Sequence, residues 1–309
     1  IKEDGDFLYN VQFINKDNDN IEFEIDLKSN HWAKSSKKYY VNWLIKIKGI
    51  DNDFYHEHHL NLENQRVFVC FESKSLGDNL AWIPYVEKLR TDKKCKVVVS
   101  TFHNDLFKSQ YPEIEFIEPG SNVNNLYALY RLGFFYDGNK KLDMSKHPSD
   151  PRKEPLMKVA TDILGISYEE IRPKLPNLGK KKKKMVCIAV HSTAQCKYWN
   201  NPTGWQEVVD YLNGNGYKVK LLSREEDGFM GNKNPKGVIQ QPKSTTKDLI
   251  KVLQESEFFI GISSGLSWLA WAAETPTILI SGFTDDTLEP TKGVSRLSNK
   301  DVCHNCWGR

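Results

Sequence analysis

The first segment that could do chemistry holds Ser75, Gly77 and Asp78, directly after the apolar run VFVCF. A glycine-containing loop between a buried strand and a helix lies, in an open α/β sheet, in the crevice at the carboxyl ends of the strands. Asp78 there can cap the helix and accept backbone N–H bonds, which would lower the pKa of its carboxyl, or it can act as a general base. Its position alone favours neither role.

A second candidate segment runs from His191 to Trp205, again between a predicted strand and a predicted helix. Small residues such as Thr193 let a ligand approach the backbone, and Lys197 offers a point charge to an anion. The aromatic side chains of Tyr198 and Trp199 could stack on a ring. The alternative interpretation is an ordinary loop with one exposed lysine.

A third and more specific segment is the serine-rich turn Ser263, Ser264, Gly265, Leu266 and Ser267, between the run FFIGI and a helix predicted from about Ser267. The free N–H groups and the positive dipole end of a helix make an anion site, and small residues permit close approach by a diphosphate. The turn is neither a Walker A loop nor a Gly-x-Gly-x-x-Gly fingerprint. In the other interpretation Ser264 and Ser267 only cap the helix.

The fourth candidate is the pair Cys303 and Cys306 in the sequence CHNCW. Two cysteines at this spacing have the reach of half a thiolate metal site, whereas a closed site needs four ligands. A redox pair is the alternative.

Three predicted domains position these segments, over residues 1–60, 61–178 and 179–309. The first has apolar residues in a period of two between Asn/Asp-rich turns, which indicates an antiparallel β domain. Residues 51–64, with three histidines, lack that period and are predicted to be a linker. The other two alternate short β-branched runs with helical segments, which predicts parallel sheets and two Rossmann-like domains facing each other across a cleft. The lysine run 180–184 is predicted to be a solvated linker.

The composition and net charge of the chain argue against several classes of protein. The chain has 309 residues and a formal net charge of +3, too small a field for a nonspecific nucleic-acid binder, so no nucleic-acid partner is predicted. No apolar run reaches the ~20 residues of a membrane helix. Six cysteines are too few for a disulfide scaffold, and Cys70, Cys95 and Cys187 lie in or beside apolar runs. These features favour a cytoplasmic location.

Several long motifs, in order, closely resemble the bacterial autotransporter heptosyltransferases, protein O-glycosyltransferases related to the lipopolysaccharide heptosyltransferases. The resemblance covers nearly the whole chain, including the segment KKYYVNWLIKI of the β domain. The other motifs are SLGDNLAWIPY from Ser75, CKYWN from Cys196, GWQEVVDYL from Gly204, GISSGLSWLAW from Gly261 and VCHNCW from Val302.

The resemblance implies a GT-B fold and transfer of heptose from ADP-heptose to serine hydroxyls of an autotransporter passenger protein. It makes Asp78 the base toward the acceptor hydroxyl and gives the nucleotide to the C-terminal Rossmann domain. It also implies a higher-order homo-oligomer and iron bound by a cysteine cluster, of which this sequence holds Cys303 and Cys306. The residues predicted to bind the nucleotide sugar are Ser75, Gly77, Thr193, Lys197, Ser263, Ser264, Gly265, Leu266 and Ser267.

In the predicted mechanism no metal is needed for catalysis. The charge that builds on the leaving diphosphate can be stabilised by the helix start at Ser264 and by the Lys197 ammonium. Three alternatives stay open: a heptosyltransferase acting on lipopolysaccharide core sugar, a GT-B-fold nucleotide-sugar 2-epimerase, and a non-enzymatic binding module.

Overall fold

The computed structural model describes residues 6–179 and 182–308, which form three β-sheets. The first sheet is antiparallel with strand order β2-β1-β3-β4, and its period-two pattern turns Tyr9 and Val11 of the central β1 into the core. Its strands are β1 (Leu8–Asn15), β2 (Asn20–Lys28), β3 (Trp43–Gly49) and β4 (Tyr55–His59).

The prediction of a linker over residues 51–64 is wrong in its middle, because β4 lies there. Strand β4 pairs antiparallel with β3, from Lys48 opposite Tyr55 to Leu44 opposite His59, and all five of its residues are exposed. Backbone hydrogen bonds to a neighbouring strand therefore hold this segment, and no apolar period was needed to form it.

The second sheet is parallel, with strand order β7-β6-β5-β8. The runs VFVCF, KVVVS and IEFIEPG predict β5, β6 and β7, and the segment after Gly77 predicts the first helix, but no pattern predicts β8 or the third helix. The elements are β5 (Arg66–Phe71), α1 (Leu76–Asp92), β6 (Lys96–Ser100), α2 (Asn104–Phe107), β7 (Glu115–Ile117), β8 (Ala128–Leu132) and α3 (Leu156–Leu164).

The alternating apolar residues over positions 39–47 predict one strand, but β3 begins only at Trp43. The N–H of Tyr40 donates to the carbonyl of Ile163 in α3 at 2.9 Å, and Val41 is buried. The first part of this apolar run therefore packs the β domain against α3 instead of extending the sheet.

The third sheet is also parallel, with strand order β11-β10-β9-β12-β13-β14. Thr245 and Asp248 have the sequence spacing of a capping box, and the structure has that capping box at the start of α5. The elements are β9 (Met185–Ala189), α4 (Gly204–Gly214), β10 (Lys218–Leu221), β11 (Ile239–Gln240), α5 (Thr246–Glu255), β12 (Phe258–Ile262), α6 (Gly265–Ala272), β13 (Thr277–Ile280) and β14 (Val294–Leu297).

The order of the third sheet reverses between β9 and β12, and the loops after these two strands flank the reversal. In open α/β sheets ligands bind in the crevice at such a switch point. The loop after β9 carries Lys197, and the loop after β12 carries Ser263 and Ser264. The fold therefore brings two of the predicted segments to one crevice.

Helices α1 and α6 pack against each other and join the two parallel-sheet units. One hydrophobic core runs through both units and includes the fully buried Trp82 of α1 and Trp271 of α6. A Cβ at Gly77 would lie only 3.1 Å from Cδ1 of Trp268, so glycine permits this close approach of the two helix starts. The predicted cleft is consequently closed at its base by helix packing.

The described part of the lysine run is exposed, as predicted, but it is tied to the end of α5. Lys182 Nζ donates to the carbonyl of Ser256 at 2.6 Å, and Lys183 forms an ion pair with Glu255. Lys180 and Lys181 lie outside the described residues. Over residues 6–179 and 182–308 no helix has the length and apolar character to cross a membrane.

Candidate active site

The loop after β5 is held by Asn79, a fully buried residue of α1. Its Nδ2 donates to the carbonyls of Ser73 and Ser75 at 2.8 and 2.7 Å. Ser75 is the N-cap residue of α1, with an extended backbone and no capping bond from its side chain. Helix α1 begins at Leu76, so Asp78 lies in the first turn of the helix, where the backbone fixes its position.

Asp78 is a partly buried carboxyl group, and burial is the largest influence on its pKa. Burial raises the pKa of the Asp78 carboxyl, while hydrogen bonds from the Ser73 and Ser75 hydroxyls and the charge of Lys197 act in the opposite direction. The lowered pKa expected for a capping aspartate is therefore wrong in direction, because Asp78 is not the cap and desolvation outweighs its hydrogen bonds. A raised pKa makes the carboxylate a stronger base.

The serine-rich turn after β12 holds the two serines at the start of α6. Ser267 Oγ donates to the Ser264 carbonyl at 2.7 Å and accepts from the Ser264 N–H at 3.2 Å, so Ser267 closes the start of α6. Ser264 is the N-cap residue of α6 and forms a capping box with Ser267, although its buried Oγ makes no hydrogen bond of ordinary geometry. A buried hydroxyl without a partner costs free energy unless a ligand completes it. Ser264 therefore caps α6 together with Ser267, and its hydroxyl keeps hydrogen-bonding capacity for a ligand.

A buried acidic residue that the sequence analysis missed supports this turn from behind. Glu289 is 5% exposed, accepts a hydrogen bond from the Ser263 hydroxyl and forms an ion pair with Arg296. Arg296 also donates to the carbonyl of Thr284 at 2.6 Å. The network joins the turn after β12 to the loop after β13, and no local sequence pattern signals a pairing across 26 residues.

In the loop after β9, the aromatic residues pack within the protein and the lysine lines a cavity. Tyr198 is buried and its hydroxyl donates to the Ser192 carbonyl at 3.0 Å, and the Trp199 ring packs edge-on against Trp205 at 5.3 Å. Neither Tyr198 nor Trp199 lines the two cavities described below, so the stacking of these rings on a ligand stays a prediction. Lys197 places its Nζ 5.7 Å from the centre of the Phe283 ring.

Two adjoining cavities lie between the parallel-sheet units, one of about 200 Å³ and one of about 430 Å³. Both are lined by Ser75, Lys197, Ser264 and Gly265. Their shared wall therefore combines the starts of α1 and α6 with one ammonium group.

The predicted site residues divide between these cavities. Gly77, Asp78 and Ser263 line only the smaller cavity, and Thr193 and Leu266 line only the larger one. Ser267 lines neither. The sequence analysis missed the other walls of the smaller cavity, which include Phe134, Glu154, Phe283 and Trp307.

The Cys303 and Cys306 segment folds onto the smaller cavity through Trp307. The Trp307 ring packs edge-on against Phe134 at 6.0 Å and Phe283 at 5.8 Å, thereby touching both parallel-sheet units. Both thiols are exposed. Within the described part of the chain no three His, Cys, Asp or Glu residues are grouped as metal ligands, so the pair does not by itself make a closed metal site.

The chain is similar to heptosyltransferases in sequence. A model of glycosyltransferase family 9 (heptosyltransferase) matches residues 151–304. Autotransporter heptosyltransferase Aah from Escherichia coli is 37% identical over 311 residues, which cover 97% of this chain and 78% of Aah. Inactive autotransporter heptosyltransferase BimC from Burkholderia thailandensis is 28% identical over 282 residues, covering 88% and 66%. One relative is named inactive, so similarity in sequence does not by itself show that a chain is active. The residues that line the cavity must be considered as well.

Solved structures of TibC from enterotoxigenic E. coli share the whole fold. The iron-containing dodecameric glycosyltransferase TibC aligns with a TM-score of 0.88 and 34% identity, covering 99% of this chain and 81% of TibC. TibC in complex with ADP-D-beta-D-heptose aligns with a TM-score of 0.86 and 33% identity over the same shares. The two parallel sheets, the switch-point crevice and these similarities lead to one conclusion: the chain belongs to the autotransporter heptosyltransferases, which are glycosyltransferases of the GT-B fold.

Proposed function

We propose that this chain transfers heptose from ADP-heptose to serine hydroxyls of an autotransporter passenger protein, inverting the anomeric carbon in a single displacement. One observation carries the proposal. A carboxyl group with a raised pKa, Asp78, lines the same small cavity as an ammonium group, Lys197, and the N-cap hydroxyl of α6, Ser264. The complex of TibC with ADP-heptose supports the identity of the donor.

The donor would span both cavities, with its diphosphate at their shared wall. Together the cavities fall within the ~300–1,000 Å³ of small-molecule sites. The larger one, with apolar Leu222 and Leu249 on its wall, suits the nucleoside. The smaller one then receives the heptose, which places the anomeric carbon on the side of Asp78.

The leaving group is ADP, and negative charge grows on its β-phosphate as the bond to the anomeric carbon breaks. The free N–H groups at the start of α6 and the Ser264 hydroxyl can donate to that phosphate. Lys197 adds a positive charge at the same wall. A preorganised donor to a developing charge is worth roughly 3–4 kcal/mol in activation free energy, so these groups supply a substantial share of the acceleration.

Asp78 would take the proton of the acceptor serine as the serine oxygen attacks the anomeric carbon. The new C–O bond forms on the face opposite the leaving phosphate, the sugar–phosphate C–O bond breaks, and the electron pair leaves with ADP. A general base contributes about 10²–10⁴ in rate. Asp78 performs its role only when ionised, so activity should fall as the pH drops through its raised pKa.

The autotransporter acceptor is supported by the relatives' names and by the additional β-sheet. The relatives Aah and BimC are both named for autotransporters, and the antiparallel β-sheet offers a surface beyond the two GT-B units. A lipopolysaccharide core acceptor would keep the donor chemistry and change only this partner. A 2-epimerase would consume donor without any acceptor, and a binding module would release no ADP.

The proposal is tested by mass spectrometry of a passenger protein co-expressed with this chain, in hosts with and without the ADP-heptose pathway. We expect serine-containing peptides to gain the mass of one heptosyl residue only in the host that makes the donor. A parallel incubation with purified donor and lipopolysaccharide core identifies the lipid alternative, and donor loss without acceptor identifies an epimerase. An unmodified passenger in the donor-producing host would contradict the proposal.

For iron, Cys303 and Cys306 provide two thiolates where a closed site takes four ligands. The described residues therefore do not fit a complete site, and no catalytic step above depends on one. We propose that Cys303 and Cys306 are two of the ligands of an iron site, since TibC is described as iron-containing. Metal analysis of the purified protein should show iron that is lost in Cys303→Ser.

Assembly and location complete the proposal. We propose a higher-order homo-oligomer, supported by the dodecameric TibC and by apolar residues exposed on and near edge strand β2, where Ile21 is 51% and Trp32 is 73% exposed. Light scattering of the purified protein measures its mass.

We propose a cytoplasmic location, supported by the six free cysteines, two of them buried.

A further inference from the structure

The far end of the larger cavity holds a buried acceptor that no protein group uses. Gln241 follows β11 and lines this cavity, and its side-chain oxygen Oε1 is buried without a hydrogen-bond partner. An amide oxygen is an acceptor only. The cavity therefore offers an unmet acceptor to whatever occupies this end.

The neighbouring hydrogen bonds fix which way round the Gln241 amide lies. The Ser244 hydroxyl donates its single hydrogen to the carbonyl of Pro242 at 2.5 Å. Ser244 Oγ can then only accept, and it accepts from Gln241 Nε2 at 2.7 Å. The Gln241 N–H donates to the Leu221 carbonyl at 3.0 Å, which anchors the backbone. Reversing the amide would set two acceptors against each other, so Oε1 stays free for a ligand.

The sheet order gives the distance between Gln241 and the diphosphate wall. Ser264 follows β12, and Gln241 follows β11, three strand positions away across β9 and β10. At about 4.8 Å per strand this is roughly 14 Å. A nucleoside diphosphate lying along the strand ends would place its phosphates at β12 and its base near β11, between the apolar side chains of Leu222 and Leu249.

We propose that Gln241 selects the nucleobase: its Oε1 accepts a hydrogen bond from the exocyclic amino group of adenine. A base with a carbonyl oxygen in that place puts two acceptors in contact and leaves Oε1 buried and unpaired. This inference rests on the proposed ADP donor and adds the group that distinguishes it from donors carrying an oxo-purine.

The test compares binding of ADP and of inosine diphosphate, which has a carbonyl in place of the amino group, by isothermal titration calorimetry. The wild-type chain should bind ADP about 10–100-fold more tightly, as expected for one buried hydrogen bond against an unpaired acceptor. Gln241→Met removes the acceptor at similar size and should bring the two affinities close together. Gln240→Met, one residue earlier, exposed and outside both cavities, is the matched control and should keep the wild-type ratio.

The outcomes separate this inference from the proposed function. Equal affinities in the wild type, or an unchanged ratio in Gln241→Met, overturn the role of Gln241 while leaving the ADP donor in place. Binding of neither nucleotide to the wild type overturns the donor assignment and the inference with it. The wild-type ratio needs no variant, so the inference is tested even where Gln241→Met folds poorly.

Discussion

Replacing Asp78 with asparagine separates the chemistry of the site from its architecture. The asparagine side chain keeps the size of aspartate and can still accept from the Ser73 and Ser75 hydroxyls, but it cannot take a proton. We expect the turnover number to fall about 10²–10⁴-fold, the range for loss of a general base. This equals roughly 3–5 kcal/mol in activation free energy. Affinity for ADP should stay equal or rise, because a negative charge beside the diphosphate is removed.

The same substitution should stabilise the fold at neutral pH. The folded-state pKa of Asp78 is raised by burial, so between the unfolded and folded pKa values the folded chain binds more protons than the unfolded chain. The free energy of unfolding therefore declines as the pH rises through that window, and the ionised carboxylate is a cost at neutral pH. Asp78→Asn removes this cost. Urea unfolding at neutral and acidic pH should show the larger gain at neutral pH.

The matched control is Asp92→Asn in the last position of the same helix, about 21 Å away along α1. Asp92 is exposed and pairs with Lys88 at 3.1 Å. Its substitution should leave turnover unchanged, as measured by ADP release with donor and passenger. Full turnover in Asp78→Asn, or an equal loss in Asp92→Asn, would refute the assignment of Asp78 as base.

Three further substitutions test the groups around the diphosphate. Lys197→Ala should weaken ADP-heptose binding and lower turnover together, each about 10-fold or more, because one charge serves ground and transition states; steady-state kinetics that match the wild type would remove Lys197 from the site. Ser264→Ala should lower donor affinity and also lower the unfolding free energy by about 1 kcal/mol, the usual cost of a lost N-cap; calorimetry and urea unfolding measure the two effects. Glu289→Gln should lower the unfolding free energy by about 2–3 kcal/mol through the lost charged hydrogen bonds, and an unaltered urea midpoint would show that the network contributes nothing.

The regular elements were largely predictable because their patterns are local. The capping box at Thr245 and Asp248 and the buried strands around VFVCF and FFIGI follow from residues within one turn or one strand. The elements that the patterns missed depend on partners. Strand β4 is fully exposed and exists because β3 lies beside it.

The residues of the candidate site also fall into two groups, those that local sequence patterns predict and those that depend on distant parts of the chain. Strand–loop–helix spacing predicted Asp78, Lys197 and the serine-rich turn, since the ends of parallel strands meet at one edge. The direction of the Asp78 pKa could not be predicted, because it depends on how deeply α6 and the neighbouring loops bury the carboxyl group. Glu289 was missed for a related reason, since its partner Ser263 lies 26 residues earlier in the chain.

Local patterns were sufficient to predict the two parallel-sheet units, the loops that carry the reactive groups and the heptosyltransferase family, because hydrophobic period, capping and motif are properties of short segments. Which of those groups share a cavity, and in which direction the pKa of Asp78 moves, became known only from the three-dimensional packing. Those properties depend on the distance and burial created when α1 and α6 pack together, and residues far apart in the chain contribute to both.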